Sequence, residues 1–181
     1  MLILCGRAYS GKSTAARYIT ENREGWKEIR LSRYIKDLCS EQYGLDREKL
    51  DGDNDIDREW RENIKVYQDY TPRDLLIKIG TELRENDHTV LPKVSIEEIN
   101  QYPDYNIVVS DCRFQEDIDY LVEHSGMKTF IVKLHRNDIP YRISQEDSID
   151  MIVPDYTLVN SSLDEMYRKL DELLEKVIFP H

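Results

Sequence analysis

The first nineteen residues constrain this chain more than any other stretch. Met1-Leu2-Ile3-Leu4-Cys5 is an apolar run of strand length, Gly6-Arg7-Ala8-Tyr9-Ser10-Gly11-Lys12-Ser13 follows it directly, and Thr14-Ala15-Ala16-Arg17-Tyr18-Ile19 continues as a helix former. Two glycines with four residues between them, then lysine and a hydroxyl residue, between a strand and a helix, make the loop pattern that wraps polyphosphates. A helix start leaves backbone N–H groups unpaired and carries partial positive charge, so a phosphate placed there satisfies both. Gly6 and Gly11 keep Cβ atoms out of the way. The Lys12 ammonium can follow the β and γ oxygens, and the Ser13 hydroxyl can ligate Mg²⁺. The pattern predicts an ATP-type triphosphate site made by Gly6, Ser10, Gly11, Lys12, Ser13 and Thr14, with Ser13 as metal ligand. A glycine-rich turn with an incidental lysine would not require both flanking elements.

With 181 residues the chain suits one domain, and a formal charge of −11 speaks against a general nucleic-acid or membrane-surface binder. Cations that matter must therefore be placed locally. The sequence shows no secretory leader and no apolar stretch near the roughly 20 residues of a membrane span, so the expectation is a soluble, cytoplasmic protein. Cys5, Cys39 and Cys112 are odd in number and far apart, as free thiols in a reducing compartment would be. No Cys/His spacing for zinc occurs.

Strand-like and helix-like runs alternate. A second strand is expected over residues 27–31, then a helix over 32–43 with Ser32 as N-cap and Gly44 as its stop. The charged segment 46–69 reads as an excursion with at least one helix. Thr71 caps a helix with Pro72 in its first turn and Leu75, Leu76, Ile79 and Leu83 at helical spacing. Strands over 105–110, 128–134 and 156–159 and helices over 115–124 and 161–178 complete the pattern. This alternation predicts an α/β fold: a P-loop NTPase-type parallel sheet with helices on both faces, its ligands at the carboxyl ends of the strands.

Beyond the loop, Val108-Val109-Ser110-Asp111 is an apolar strand ending in a carboxylate, with Arg113 two residues on. An aspartate there can orient a ligand or a metal shell, or can simply cap the next turn. Phosphoryl transfer brings two anions together and needs cations besides the loop lysine. Arg33, Lys36, Arg73 and Arg113 are the candidates, each with a solvated surface charge as the plain alternative. Residues 135–150 are polar and follow a strand; they read either as a lid delivering Arg136 or Arg142 to the transferring phosphate or as a solvent loop. Asn160-Ser161-Ser162 reads first as a helix cap and second as a base contact, which puts Asn160 among the candidate ATP-binding residues.

Taken together these segments resemble the deoxynucleoside monophosphate kinases found mainly in bacteriophages, a branch of the P-loop nucleotide kinases. Besides the loop, the resemblance runs through Leu31-Ser32-Arg33-Tyr34-Ile35-Lys36-Asp37, the T-P-R…G-T-E helix from Thr71-Pro72-Arg73 to Gly80-Thr81-Glu82, the D-x-R-F stretch Asp111-Cys112-Arg113-Phe114, and Val159-Asn160-Ser161-Ser162-Leu163. His88, Thr89 and Val90 stand where the family usually has a tryptophan. The resemblance implies an ATP- and Mg²⁺-dependent transfer of the γ-phosphate to a deoxynucleoside monophosphate. Lys12, Arg73, Asp111 and Arg113 would be catalytic, and Leu31, Lys36, Arg73, Gly80, Thr81, Asp111 and Arg113 would surround the acceptor. It also implies one kinase domain with a helical acceptor-binding insertion at 46–100 and a lid at 135–150, and small-molecule nucleotide partners; kinases of this resemblance are often homodimers. A dephospho-coenzyme A kinase or a non-catalytic nucleotide switch stays open as an alternative. No [NT]-K-x-D guanine signature follows any strand.

Overall fold

The computed structural model describes residues 1–136 and 147–175. In chain order they form β1 (Leu2–Cys5), α1 (Lys12–Asn22), β2 (Trp26–Ile29), α2 (Ser32–Tyr43), a 3-10 turn (Lys49–Asp51), α3 (Asp55–Asn63), α4 (Pro72–Asn86), α5 (Val90–Ile99), β3 (Asn106–Val109), α6 (Gln115–His124), β4 (Phe130–Arg136), α7 (Asp147–Asp150), β5 (Tyr156–Asn160) and α8 (Leu163–Leu173). They belong to two compact units, Met1–Arg30 with Ser95–His181, and Leu31–Val94.

The first unit holds a five-stranded, wholly parallel sheet in the order β2-β3-β1-β4-β5. Every residue of β1 is fully buried, as expected for the central strand of a parallel sheet. One face of the sheet packs Leu2, Leu4, Val108, Val132 and Leu134 with Ala15, Ala16 and Ile19 of α1 and Met166, Leu170 and Leu173 of α8. Small alanines let α1 approach closely, and the α8 residues recur at helical spacing on one stripe. Burying each large aliphatic side chain stabilises the fold by about 1.5–3 kcal/mol. On the other face Ile3, Cys5, Ile107 and Val109 are equally buried, so both faces are covered. The fold is therefore the expected α/β sheet of P-loop type, and its connections from β1 and from β4 leave in opposite directions along the strand order. That reversal is where such sheets open a crevice at their carboxyl ends.

The unit Leu31–Val94 is helical, with Cys39, Leu50, Leu75 and Ile79 at the centre of its own core. Here two sequence expectations change. Ser32 is the first helical residue of α2, not its cap: Leu31 already has helical angles (φ −59°, ψ −36°), and no side chain caps this helix. The helix α5 had no strong periodic signal and is an addition. The first strand after α1 starts at Trp26 and ends at Ile29, because the chain turns at Arg30 and Leu31 into α2. Regular α-geometry of α8 runs to Leu173, and residues 176–178 of the helix expected over 161–178 lie outside the described residues; α8 is capped by Ser162, whose side chain accepts from the Glu165 N–H. Of the expected lid, residues 137–146, including Arg142, lie outside the described residues.

Candidate functional site

The loop after β1 is built from backbone angles that ordinary residues avoid. Gly6 has φ +140°, and a Cβ there would be driven into the Leu134 carbonyl and lie 2.8 Å from Ser10 Oγ. Gly11 has φ +98°, and its Cβ would meet Met166 Sδ at 3.0 Å. Tyr9, at the tip, is held at φ +63° with no such licence, a strain of the sort that collects at ligand-binding loops. Gly11 is the N-cap of α1, and since glycine has no side chain, nothing caps this helix; nor does its first turn hold any acidic residue. In a chain with 36 acidic residues, the start of α1 thus carries its dipole with no side-chain cap and no carboxylate in its first turn, and with Lys12 on it.

Lys12 Nζ donates to the carbonyls of Gly6 at 2.8 Å and Arg7 at 2.7 Å, so its ammonium is folded over the loop's concave side. Ser13 is exposed at the rim and Thr14 half-buried behind it. Ser10 is 1% exposed, and its Oγ has no hydrogen-bond partner among the described residues. An orphaned buried hydroxyl in a loop that leads into a helix start fits a ligand with many acceptor oxygens. These residues suit a triphosphate, and Ser13 Oγ with phosphate oxygens suits Mg²⁺, which seldom needs an all-protein cage.

Supports for the loop come from the strand ends around it. Asn160, the last residue of β5 and 5% exposed, donates its amide N–H groups to the carbonyls of His135 at 3.2 Å and Ser10 at 3.5 Å. The sequence-based base contact is therefore a buried brace beneath the loop. Arg136, its register partner at the end of β4, is exposed. Arg7 forms a 2.5 Å ion pair with Asp150 of α7, and that hydrogen bond is the main reason the Asp150 carboxyl sits below its ordinary value. Lys133 of β4 donates to the Ile149 carbonyl at 3.0 Å and lies 3.8 Å from Asp150. Cys5 ends β1 with its thiol pushed up to about 11 by burial, so it stays protonated and takes no nucleophilic part.

At the carboxyl end of β3, Asp111 is half-buried and Arg113 exposed, both in the irregular stretch before α6. Beside them lies a network that sequence reading missed. Glu28 of β2 accepts a fork of hydrogen bonds from Arg30 at 2.9 and 3.0 Å and a further one from Ser110. The signal was available: Lys27, Glu28 and Arg30 put three charged residues into the strand expected over residues 27–31. Arg30 and Ser110 each follow a strand end by one residue, so the network ties the β2 and β3 rims together.

In the unit Leu31–Val94 the expected acceptor residues are distributed differently. Leu31 is buried at the start of α2, and Lys36 is buried in an ion pair with Asp51 at 2.7 Å. Burial works to raise the Asp51 carboxyl, but the Lys36 bond and the charges of Lys36 and Arg47 outweigh it and hold it below its ordinary value. The charge Lys36 could offer a phosphate is thus shared with a carboxylate. Arg73 is exposed in the first turn of α4 and donates to Glu62 at 3.2 Å. Thr81 is exposed with its hydroxyl on the Ile77 carbonyl, and a Cβ on Gly80 would lie 3.2 Å from Ile35 Cδ1, so Gly80 serves the packing of α4 on α2. Arg73, Ile77 and Thr81 recur every four residues and share one stripe of α4.

No protein-family model matches the chain. It is 25% identical over 188 residues, 92% of each chain, to an Acanthamoeba polyphaga mimivirus protein described as "Putative deoxynucleotide monophosphate kinase". Among solved structures it is similar to a mutant APS kinase from Mycobacterium tuberculosis (18% identity, 96% and 94% of the chains covered, TM-score 0.46). It is also similar to a sugar kinase from a Janibacter species (12% identity, 99% and 95% covered, TM-score 0.46). Among the described residues no helix is long and apolar enough to cross a membrane, and no three His, Cys, Asp or Glu residues gather to hold a metal.

Proposed function

We propose that this protein is a kinase that moves the γ-phosphate of ATP to a nucleoside monophosphate, with deoxynucleoside monophosphates as its acceptors. One observation carries the reading: α1 begins with no side-chain cap and no acidic residue in its first turn, after a strained glycine loop and with Lys12 at its start, in an otherwise acidic chain. The description of the mimivirus relative supports the acceptor class.

The loop N–H groups and the Lys12 ammonium hold the β and γ phosphates, Lys12 exchanging the Gly6 and Arg7 carbonyls for phosphate oxygens as it does so. Ser10 and Asn160 keep the loop in shape from below. Mg²⁺, held by Ser13 Oγ and the phosphates, supplies neutralising charge when bound. On the resemblance of the sequence, Arg73 and Arg113 are the cations assigned to the acceptor phosphate, and Asp111 the carboxylate assigned to orient the acceptor. The attacking phosphate oxygen is already ionised, so the residues position and neutralise and no general base is required.

The test is ADP release with ATP and Mg²⁺ across deoxynucleoside monophosphates, nucleoside monophosphates and dephospho-coenzyme A. Diphosphate formation dependent on a deoxynucleoside monophosphate is expected. Slow hydrolysis indifferent to every acceptor would refute the proposal and favour a nucleotide switch.

A further inference from the structure

The unit Leu31–Val94 exposes five large apolar side chains, and four of them, Ile64, Tyr67, Tyr70 and Ile77, fall around the start of α4. The two tyrosines are brought side by side by a tight reversal in which the Tyr70 N–H donates to the Tyr67 carbonyl at 2.9 Å and the Val66 N–H to the Tyr70 carbonyl at 3.0 Å. Tyr67 meets Tyr43 edge-on, with centroids 5.0 Å apart, and is spent partly on packing. Tyr70 differs: 41% of it is exposed, and its ring is accompanied by the Lys78 ammonium, 5.9 Å from the centroid. Lys65 donates to the Asp69 carbonyl in the same reversal, and Arg73 stands exposed three residues after Tyr70. Isolated exposed apolar residues need no explanation, but an exposed aromatic ring with the Lys78 ammonium beside it, three residues before an exposed arginine that shares its charge with Glu62, in a strongly acidic chain, suits something flat, aromatic and anionic. The α4 N-terminus does not itself offer an anion site, because Thr71 and Asp74 already satisfy it.

We propose that Tyr70 is a base-stacking residue of the acceptor site: the nucleobase of a nucleoside monophosphate lies on its ring while Arg73 takes the phosphate and Ile77 provides apolar contact farther along α4. This rests on the kinase reading above and adds to it the element that recognises the base. Stacking uses the ring and not the hydroxyl, so phenylalanine at this position should serve and alanine should not.

Equilibrium titration of the full chain with dGMP, dTMP and base-free deoxyribose 5-phosphate separates the contribution of the base from that of the phosphate. Wild-type protein should bind the nucleotides more tightly than the sugar phosphate, by roughly tenfold. Tyr70→Ala should erase that difference with ATP affinity unchanged, and Tyr70→Phe should restore it. Equal binding of dGMP by wild type and a folded Tyr70→Ala protein overturns the inference, as does a change from dimer to monomer with monophosphate binding intact, which would assign the patch to a second copy. Monophosphate binding sensitive to Tyr70 but without phosphoryl transfer would refute the kinase reading and leave the stacking site standing. If wild type bound no monophosphate, both would fall.

Discussion

Two helices in this protein begin in opposite ways. At α4, Thr71 Oγ accepts from the Asp74 N–H while the Asp74 carboxylate accepts from the Thr71 N–H and hydroxyl, and Pro72 occupies the first helical position. That start is closed: its donors are satisfied and a carboxylate complements its dipole. At α1, glycine stands at the cap and lysine, serine and threonine fill the first turn, so no side chain caps the helix and no carboxylate complements its dipole. The same backbone geometry thus serves stability in one place and, in the function proposed above, ligand capture in the other. The sign and number of side chains in four positions decide which.

The contrast can be broken most severely at Lys12. Lys12→Ala should cut phosphoryl transfer by roughly a thousandfold with the thermal midpoint nearly unchanged, since its carbonyl contacts hold only the loop; near-normal turnover would overturn the roles assigned to the loop. Thr14→Asp converts the open start towards the closed kind. It should weaken ATP by roughly tenfold through like-charge repulsion while leaving stability equal or higher by a few tenths of a kcal/mol. A variant that bound ATP normally would show that the missing acids at α1 are incidental. Thr71→Ala tests the other helix: it should cost about 1 kcal/mol of stability in denaturant titration and leave ATP affinity alone, and an equal loss of ATP binding would contradict the division of labour.

The smallest effect concerns acid. Hydrogen bonds from the Thr71 backbone and side chain hold the Asp74 carboxyl below its ordinary value of 3.8. A depressed carboxyl contributes stability that is complete above its unfolded value and lost as pH falls through the folded one. The stability difference between wild type and Asp74→Asn should therefore be full at neutral pH and shrink in mild acid, below about pH 4. A difference that grew with acid would reverse the sign of this account.

Much of the donor site could be read in the chain because it is local. Gly6, Gly11, Lys12 and Ser13 lie within one loop, and a buried strand before it with a helix after it leaves few ways to arrange them. The capping of α4 by Thr71 and of α8 by Ser162 was equally legible, since a cap and its partner are three residues apart. Other features required contacts across the fold. Asn160 reaches Ser10 and His135 only because β5, β4 and β1 stand side by side, and Glu28 meets Ser110 only because β3 lies between β1 and β2. Lys36 read in sequence as a candidate acceptor-site cation or a solvated surface charge; the chain's return through Asp51 pairs and buries it. The Ser32 cap failed because Leu31 had already entered helical geometry, which no residue in the pattern announces.

From its residues alone the chain determined a parallel α/β sheet, a glycine-bounded loop at the end of its first strand, and behind that loop a helix start without a side-chain cap, because these depend on hydrophobic periodicity, glycine angles and charges a few positions apart. Tertiary structure decided the strand order, which carbonyls the Asn160 amide braces, which cations are paired and which exposed, and where aromatic rings are left uncovered. Those depend on residues distant in sequence meeting in space, where burial and partner geometry set the energy of each group.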